Sequence, residues 1–181
     1  NANPANAEDA FQRVIKQAKQ ANIMFLIQQA NIRASELNSD IIKEFNLLVK
    51  DINADQKGKL MENIEVSAYA SPDGGFDLND KLAEQREKNA AGYVDKQLKK
   101  DKIETNVDSK YTAQDWEGFK ELVSKSNIQD KDIILRVLSM YQDPEQRETE
   151  IKNISSVYKD LADEILPQLR RARLTLNYQL I

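Results

Sequence analysis

The sequence predicts an α+β fold, a β-α-β-α-β-β sheet covered by helices, with a helical insert before the last strand. Short apolar or alternating runs, typical of strands, are separated by longer segments with apolar residues at helical spacing. Strand–helix–strand units of this kind pack as one sheet with helices on one side. A long stretch with only helical patterns, 112–167, precedes the last alternating run and gives the insert.

Four strands are expected. The run Asn22–Gln28 is short and apolar, which predicts a strand buried on both faces. Ile64–Ala70 and Ala172–Ile181 alternate between apolar and polar residues, which predicts strands with one buried face. Ile103–Tyr111 is the predicted third strand of the chain.

Helices are expected between these strands. Apolar residues recur at helical spacing from Leu37 to Ile52, and another helix is predicted from Leu78 to Leu98. Residues 1–21 are predicted to be a linker followed by a lead-in helix, so that the domain itself spans 22–181. The apolar face of that lead-in helix consists of Phe11, Val14, Ile15 and Ala18.

The insert is predicted to contain several helices. Thr112 and Asp115 form a capping-box pattern ahead of the first, and Asp143-Pro144 is a helix start with Asp as the N-cap. Among the large aromatic residues of the insert, three lie at helical spacing that is more typical of core than of an exposed interface. They are Trp116, Phe119 and Tyr141.

Composition excludes several classes of function. The 181 residues include no Cys and no His, which excludes thiol nucleophiles, disulfides, Cys/His zinc sites and histidine bases. No metal and no cofactor is therefore expected. The net charge of −4 is spread over both signs, and the densest basic run, Lys99 to Lys102, is interrupted by Asp101, so no nucleic-acid surface is expected.

No apolar run is long enough to cross a membrane. The chain begins with Asn1 rather than Met, and no signal peptide is visible. We therefore expect a piece of a larger or processed protein, attached to a membrane only through other parts of the full-length chain.

Arg86 is the most informative residue for function. Asn79, Leu82 and Arg86 share one stripe of their predicted helix, and that stripe should face the sheet. A buried guanidinium needs a partner, and its long side chain can lean back towards the turn at Ser71.

The turn Ser71-Pro72-Asp73-Gly74-Gly75 supplies complementary chemistry. Glycines allow close approach of the backbone, and main-chain N–H groups ahead of a helix attract carboxylates. Arg86 can hold a carboxylate, while Ser71 and Asp73 suit an ammonium group. The predicted ligand site for an amino-acid head is Ser71, Asp73, Gly74, Asn79 and Arg86, with Arg86 partly exposed beside Gly74.

A purely structural explanation stays open at this point. Arg86 would then pair with Asp73, Asp77 or another carboxylate inside the protein, and Gly74 and Gly75 would only make the turn. Such internal ion pairs are common where a charge lies on the buried face of a helix.

At these residues the sequence resembles the OmpA-like peptidoglycan-binding domain. Ala68-Tyr69-Ala70-Ser71 stands where that family has a strand ending in Gly-His-Thr-Asp. The positions that match the family's later Gly, Asn, Leu-Ser and Arg are Gly74, Asn79, Leu82-Ala83 and Arg86. Arg170-Arg171-Ala172-Arg173-Leu174 resembles the family's closing strand, and the resemblance covers roughly Ile23–Tyr111 and Leu169–Tyr178.

The resemblance implies a non-catalytic, periplasmic domain, associated with the outer membrane, whose partner is the diaminopimelate-containing stem peptide of peptidoglycan. It implies that Arg86 grips the ligand's carboxylate. Ser71 replaces the loop aspartate that grips the ammonium group in the family, and Asp73 is the candidate to supply that charge. The alternative is a degenerate copy that serves as a structural or protein-interaction module.

Two other classes of function were weighed. Catalysis by a Ser71–Lys81 pair or by the Glu84–Glu87 carboxylates lacks any supporting motif, so no enzyme is expected. A protein partner at the helical insert would require that its aromatic residues form an exposed patch.

Overall fold

The computed structural model describes residues 14–55, 57–73, 75–153 and 159–181. Its sheet has four strands in the order β1-β4-β2-β3, where β1 is Ile15–Met24, β2 is Lys59–Tyr69, β3 is Val107–Thr112 and β4 is Arg171–Leu180. β4 runs antiparallel to both β1 and β2, and β3 runs parallel to β2. Met24, Tyr69, Thr112 and Arg171 therefore lie at the same end of the sheet. This end, across all four strands, is called the upper edge, and the opposite end the lower edge.

The helices described between β1 and β3 are α1, Ala34–Leu37; α2, Asp40–Ala54; and α3, Phe76–Lys100. The long helices α2 and α3 cover one face of the sheet, and their buried side chains form the main core with every second residue of the strands. The residues at its centre include Ile23, Ile42, Phe45, Ile64, Val66, Ala90, Val94, Leu174 and Leu176.

The insert builds a second core of its own above the upper edge. It contains α4, Trp116–Lys125; α5, Lys131–Met140; α6, Pro144–Lys152; a π-helical turn, Leu161–Ile165; and α7, Leu166–Leu169. The buried residues of this second core are Phe119, Val123, Ile128, Ile134, Leu138, Ile151, Leu161, Ile165, Leu166 and Leu169. Among the residues that the structure describes, none belongs to both cores.

The face of the sheet opposite α2 and α3, here the open face, is polar. Side chains alternate along a strand, so Arg171 and Arg173 point to this face while Ala172 and Leu174 are buried in the core. Ser67 of β2 is paired in register with Arg173 on one side and with Lys110 on the other, which places three polar side chains in one row.

The predicted fold class and the order of its elements are confirmed. The predicted helix start at Asp143 is also confirmed, because its carboxylate accepts a hydrogen bond from the Gln146 main-chain N–H at 3.1 Å. The first insert helix begins after Asp115, which is itself the N-cap. The predicted third strand is shorter than expected and begins at Val107.

The prediction for the start of the domain is wrong in two respects. Ile15 and Ala18 lie in β1, not in a lead-in helix, and residues 1–13, Phe11 included, lie outside the described residues. β1 is also an edge strand that ends at Met24, so the expectation of a strand buried on both faces at Asn22–Gln28 is wrong. Only its alternate residues, such as Ala21 and Ile23, are buried, and Gln28 lies in a turn with φ of 56°.

Candidate functional site

The predicted ligand loop leaves β2 at the upper edge of the sheet and leads into α3. Its first residue is fixed by main-chain hydrogen bonds from the Ala70 N–H to the Thr112 carbonyl at 3.1 Å and from the Asp115 N–H to the Ala70 carbonyl at 3.2 Å. Because both bonds involve the segment that enters the insert, the loop and the insert are held together at this point.

Three of the predicted site residues form one cluster around Asp73. The Ser71 hydroxyl donates a hydrogen bond to Oδ1 of Asp73, and Nδ2 of Asn79 donates to the Asp73 main-chain carbonyl at 3.0 Å. Asn79 is placed for this role by the first turn of α3, where its own N–H bonds to the Gly75 carbonyl. The Asp73 carboxylate is thus held in one position, with 23% of its side chain exposed.

Arg170, which immediately precedes β4, completes this cluster. Its Nη2 lies 3.8 Å from Oδ2 of Asp73, and its side chain is 10% exposed. That separation is longer than the 2.7–2.9 Å or so of a charge-assisted hydrogen bond, so the two ions attract each other without a direct bond. Arg170 and Asp73 therefore present opposite charges beside each other at the end of β2.

Arg86 is fully buried below this cluster. Its three nitrogens donate to main-chain carbonyls: Nε to Gln29 at 3.0 Å, Nη1 to Tyr69 at 3.0 Å and Nη2 to Leu26 at 3.2 Å. The guanidinium carbon also lies 5.1 Å from the centre of the Phe25 ring. Arg86 therefore ties the segment that follows β1 to the last residue of β2.

The pKa of Arg86 is lowered to about 10, mainly by burial and also by the positive charge of Arg170, while the negative charge of Asp73 opposes the shift. The guanidinium still carries its charge at neutral pH, because this pKa remains well above 7. Carbonyl dipoles and the nearby Asp73 carboxylate compensate for the water that a buried charge loses.

The structure differs from both expectations for Arg86. We expected it to be partly exposed in the pocket, and it has no exposed surface. In the purely structural explanation, Arg86 pairs with a carboxylate inside the protein. Its partners are instead three main-chain carbonyls, which lie 57, 17 and 60 residues away in sequence. The stripe of α3 correctly indicated a buried position, but nothing in the local sequence identifies such distant carbonyls.

The glycines of the loop give less information than expected. Gly74 lies outside the described residues. Gly75 is the residue before α3 and has φ of −71°, which any residue adopts, and an added Cβ there would meet nothing within 4 Å. Neither strain nor close approach therefore requires a glycine at position 75.

Arg170 is the residue that sequence reasoning did not place in the site. The sequence presents it only as part of the closing-strand pattern, where Arg170, Arg171 and Arg173 look equivalent. A strand sends alternate residues to opposite faces, so Arg170 and its neighbour Arg171 diverge at the start of β4. This alternation is the sequence signal that separates Arg170 from Arg171, but it can be used only when the first residue of β4 is known.

The insert forms one wall of the loop. A small apolar cavity of about 20 Å³ separates Pro72 and Asp73 from the insert's second core; Trp116, Phe119, Ile151, Leu161 and Leu166 line its other side. The Trp116 and Phe119 rings meet edge to face, 5.4 Å apart. These two aromatic residues are accordingly part of the packing between loop and insert.

The side chains considered as catalytic pairs, Ser71 with Lys81 and Glu84 with Glu87, have other surroundings in the structure. The Ser71 hydroxyl donates to Asp73, while Lys81 is exposed on α3. Glu84 accepts a hydrogen bond from Lys88 at 3.0 Å, and this bond and charge lower the pKa of Glu84. In the described ranges no group of three or more acidic, Cys or His residues is placed to hold a metal ion, and no described helix is long and apolar enough to cross a bilayer.

No protein-family model matches the sequence, and no curated protein matches it. Among solved structures, the fold is similar to the OmpA-like domain of FopA1 from Francisella tularensis subsp. tularensis. The two chains are 16% identical with a TM-score of 0.44, over 92% of this chain and 76% of the other.

Proposed function

We propose that this domain is a non-catalytic module that binds the diaminopimelate head of a peptidoglycan stem peptide, in the periplasm. In the full-length protein it would anchor an outer-membrane or periplasmic protein to the cell wall. The observation that supports the proposal best is the loose ion pair between Asp73, in the loop that resembles the ligand loop of OmpA-like domains, and Arg170, which precedes β4.

A zwitterionic amino-acid head would lie alongside this pair and contact both charges. Its ammonium group would bind the Asp73 carboxylate, which Ser71 and Asn79 already hold in place. Its carboxylate would bind the Arg170 guanidinium, whose side chain makes no hydrogen bond to any described residue. Because Asp73 and Arg170 are 3.8 Å apart, a ligand would replace only a weak internal attraction with two charge-assisted hydrogen bonds.

Arg86 has a different role in this proposal from the one that the family resemblance implies. It contacts no ligand but fixes the Tyr69 carbonyl, two residues before Ser71, and adds positive potential below Asp73. It is therefore a positioning residue, and Arg170 takes over the contact with the carboxylate.

The test is a calorimetric titration with a tripeptide of L-Ala, γ-D-Glu and meso-diaminopimelate. We expect saturable binding by the wild type and at least a 10-fold weaker affinity for Asp73→Asn and Arg170→Gln, since a hydrogen bond to a charged group contributes about 1.5–3 kcal/mol. Asp132→Asn, an exposed aspartate in the first turn of α5, is the matched control and should bind as the wild type does.

The matched ligand is the same tripeptide with L-Lys in place of diaminopimelate. It lacks the second carboxylate, so it should bind more weakly to the wild type and lose less on Arg170→Gln. Equal affinity for the two tripeptides would contradict the assignment of Arg170 to the carboxylate.

Two observations support a second candidate, a degenerate OmpA-like domain that acts as a structural or protein-interaction module. The guanidinium of Arg86 already donates its hydrogen bonds to main-chain carbonyls inside the protein. The insert also covers one side of the loop at Pro72 and Asp73. Absence of saturable binding by the wild type to the diaminopimelate tripeptide would favour this candidate.

A further inference from the structure

A polar groove of about 450 Å³ lies on the open face of the sheet, between the strands and α4. Tyr69, Lys110 and Arg173 line it on the sheet side, and Glu117, Gly118 and Glu121 line it on the helix side. The Asp73 cluster adjoins the covered face, because Arg170 precedes β4 in phase with the buried Ala172 and Leu174. Neither Asp73 nor Arg170 lines the groove, although Trp116 borders both Asp73 and the groove.

The two arginines at the groove differ in how their charges are satisfied. Nη1 of Arg171 donates to Oδ2 of Asp115 at 2.9 Å, and its guanidinium carbon lies 4.1 Å from the centre of the Tyr69 ring. Arg173 lies farther from the same ring, at 6.0 Å. Within the described ranges Arg173 has neither a hydrogen bond nor an ion pair from its side chain, so its five N–H donors remain available.

A second cation stands beside Arg173 on the same row of the sheet. Lys110 is exposed, and Ser67 lies between it and Arg173 as the register partner of both. Adjacent strands are about 4.8 Å apart, so the backbones of Lys110 and Arg173 are about 10 Å apart. Side chains of this length can converge on one anion above the Ser67 hydroxyl.

The helical wall limits which anion fits. Glu117 and Glu121 bring negative charge to the side of the groove, and Glu121 is paired with Lys125 at 2.8 Å. A doubly charged phosphate or a nucleic-acid backbone would be repelled by this wall more strongly than a single carboxylate. A peptide supplies one carboxylate together with N–H donors for the glutamates.

We propose that this groove binds a carboxylate of a peptide, with the guanidinium of Arg173 as the main contact and Lys110 and Ser67 as the second and third. The site is distinct from the Asp73–Arg170 pair and does not depend on the function proposed for it. A planar guanidinium with free donors is the group best suited to a bidentate contact with a carboxylate.

The experiment is an NMR titration of the isotopically labelled chain with acetyl-trialanine that has a free terminal carboxylate, and separately with its terminal amide. We expect the free acid to shift the main-chain amides of Ser67, Lys110 and Arg173 saturably, and the terminal amide to bind about 10-fold more weakly. Arg173→Gln should weaken binding of the free acid by a similar factor, and Lys110→Gln by less.

Arg136→Gln, an exposed arginine on α5, is the matched control and should leave the titration unchanged. Equal binding of the acid and the amide, or unchanged binding by Arg173→Gln, would overturn the proposal. Inorganic phosphate is the third probe, and tighter binding of phosphate than of the peptide acid would overturn the assignment to a carboxylate.

Discussion

At the scale of single residues, Arg86 links separate parts of the fold. A charged side chain without exposed surface holds three carbonyls from two separate segments, so the upper end of the sheet depends on it. Its removal takes this donor away from all three carbonyls, although the Leu26 carbonyl keeps its hydrogen bond from the Gln29 main-chain N–H, and each group left unsatisfied costs about 1–3 kcal/mol.

We therefore expect Arg86→Met to lower the free energy of unfolding by about 3 kcal/mol, measured by urea denaturation. Arg136→Met, which removes an exposed arginine from α5, should change it by less than about 0.5 kcal/mol. If the two variants were equally stable, the carbonyl contacts of Arg86 would carry no net stabilisation.

At the scale of elements, the junction between sheet and insert depends on the N-terminus of α4. Asp115 accepts a hydrogen bond from the Gly118 N–H at 3.0 Å with one oxygen and from Arg171 at 2.9 Å with the other. A Cβ at position 118 would lie 2.4 Å from that second oxygen. Gly118 is therefore required by the helix cap and the ion pair that Asp115 makes simultaneously.

Two glycine substitutions with opposite expected signs test this junction. Gly118→Ala should destabilise the protein by about 1–2 kcal/mol, because it displaces the capping carboxylate. Gly92→Ala, inside α3 with nothing within 4 Å of the new Cβ, should stabilise it by roughly 0.5–1 kcal/mol. Thermal unfolding of both variants gives the comparison, and stabilisation by Gly118→Ala would disprove the role of the cap.

The elements also show what could be predicted from the sequence. Strands with one buried face, such as Ile64–Ala70, and the cap at Asp143 carry strong local signals and were predicted well. β1 was missed in part because an edge strand buries few side chains, and Ile15 and Ala18 also fit helical spacing. The Asp73–Arg170 pair joins residues nearly one hundred positions apart, and no local pattern indicates such a contact.

At the scale of the whole molecule, two separate hydrophobic cores share one chain. The main core lies between a four-stranded sheet and two long helices, whereas the insert packs short helices of about ten residues against one another. Short helices with a small core of their own are typical of segments that open below the global unfolding free energy.

Native-state hydrogen exchange should therefore separate the two parts. The main-chain amides of Val123 and Leu138 in the insert are expected to exchange through openings of lower free energy than those of Val66 and Leu174 in the sheet. Equal opening free energies, both matching global unfolding, would show instead that the two cores unfold as one cooperative unit.

The pairing of β1 with β4 determines where the chain enters and leaves the domain relative to the two proposed sites. Ile15 is the register partner of Leu180, so any chain that leads into β1 and any chain that continues from β4 would depart side by side. Both departures lie at the lower edge, whereas Asp73, the groove and the insert lie at the upper edge. The ten residues of β4 separate the two edges by about 30 Å. Tethers at either terminus would thus hold the domain by its base, with both proposed sites facing away from whatever the tethers connect.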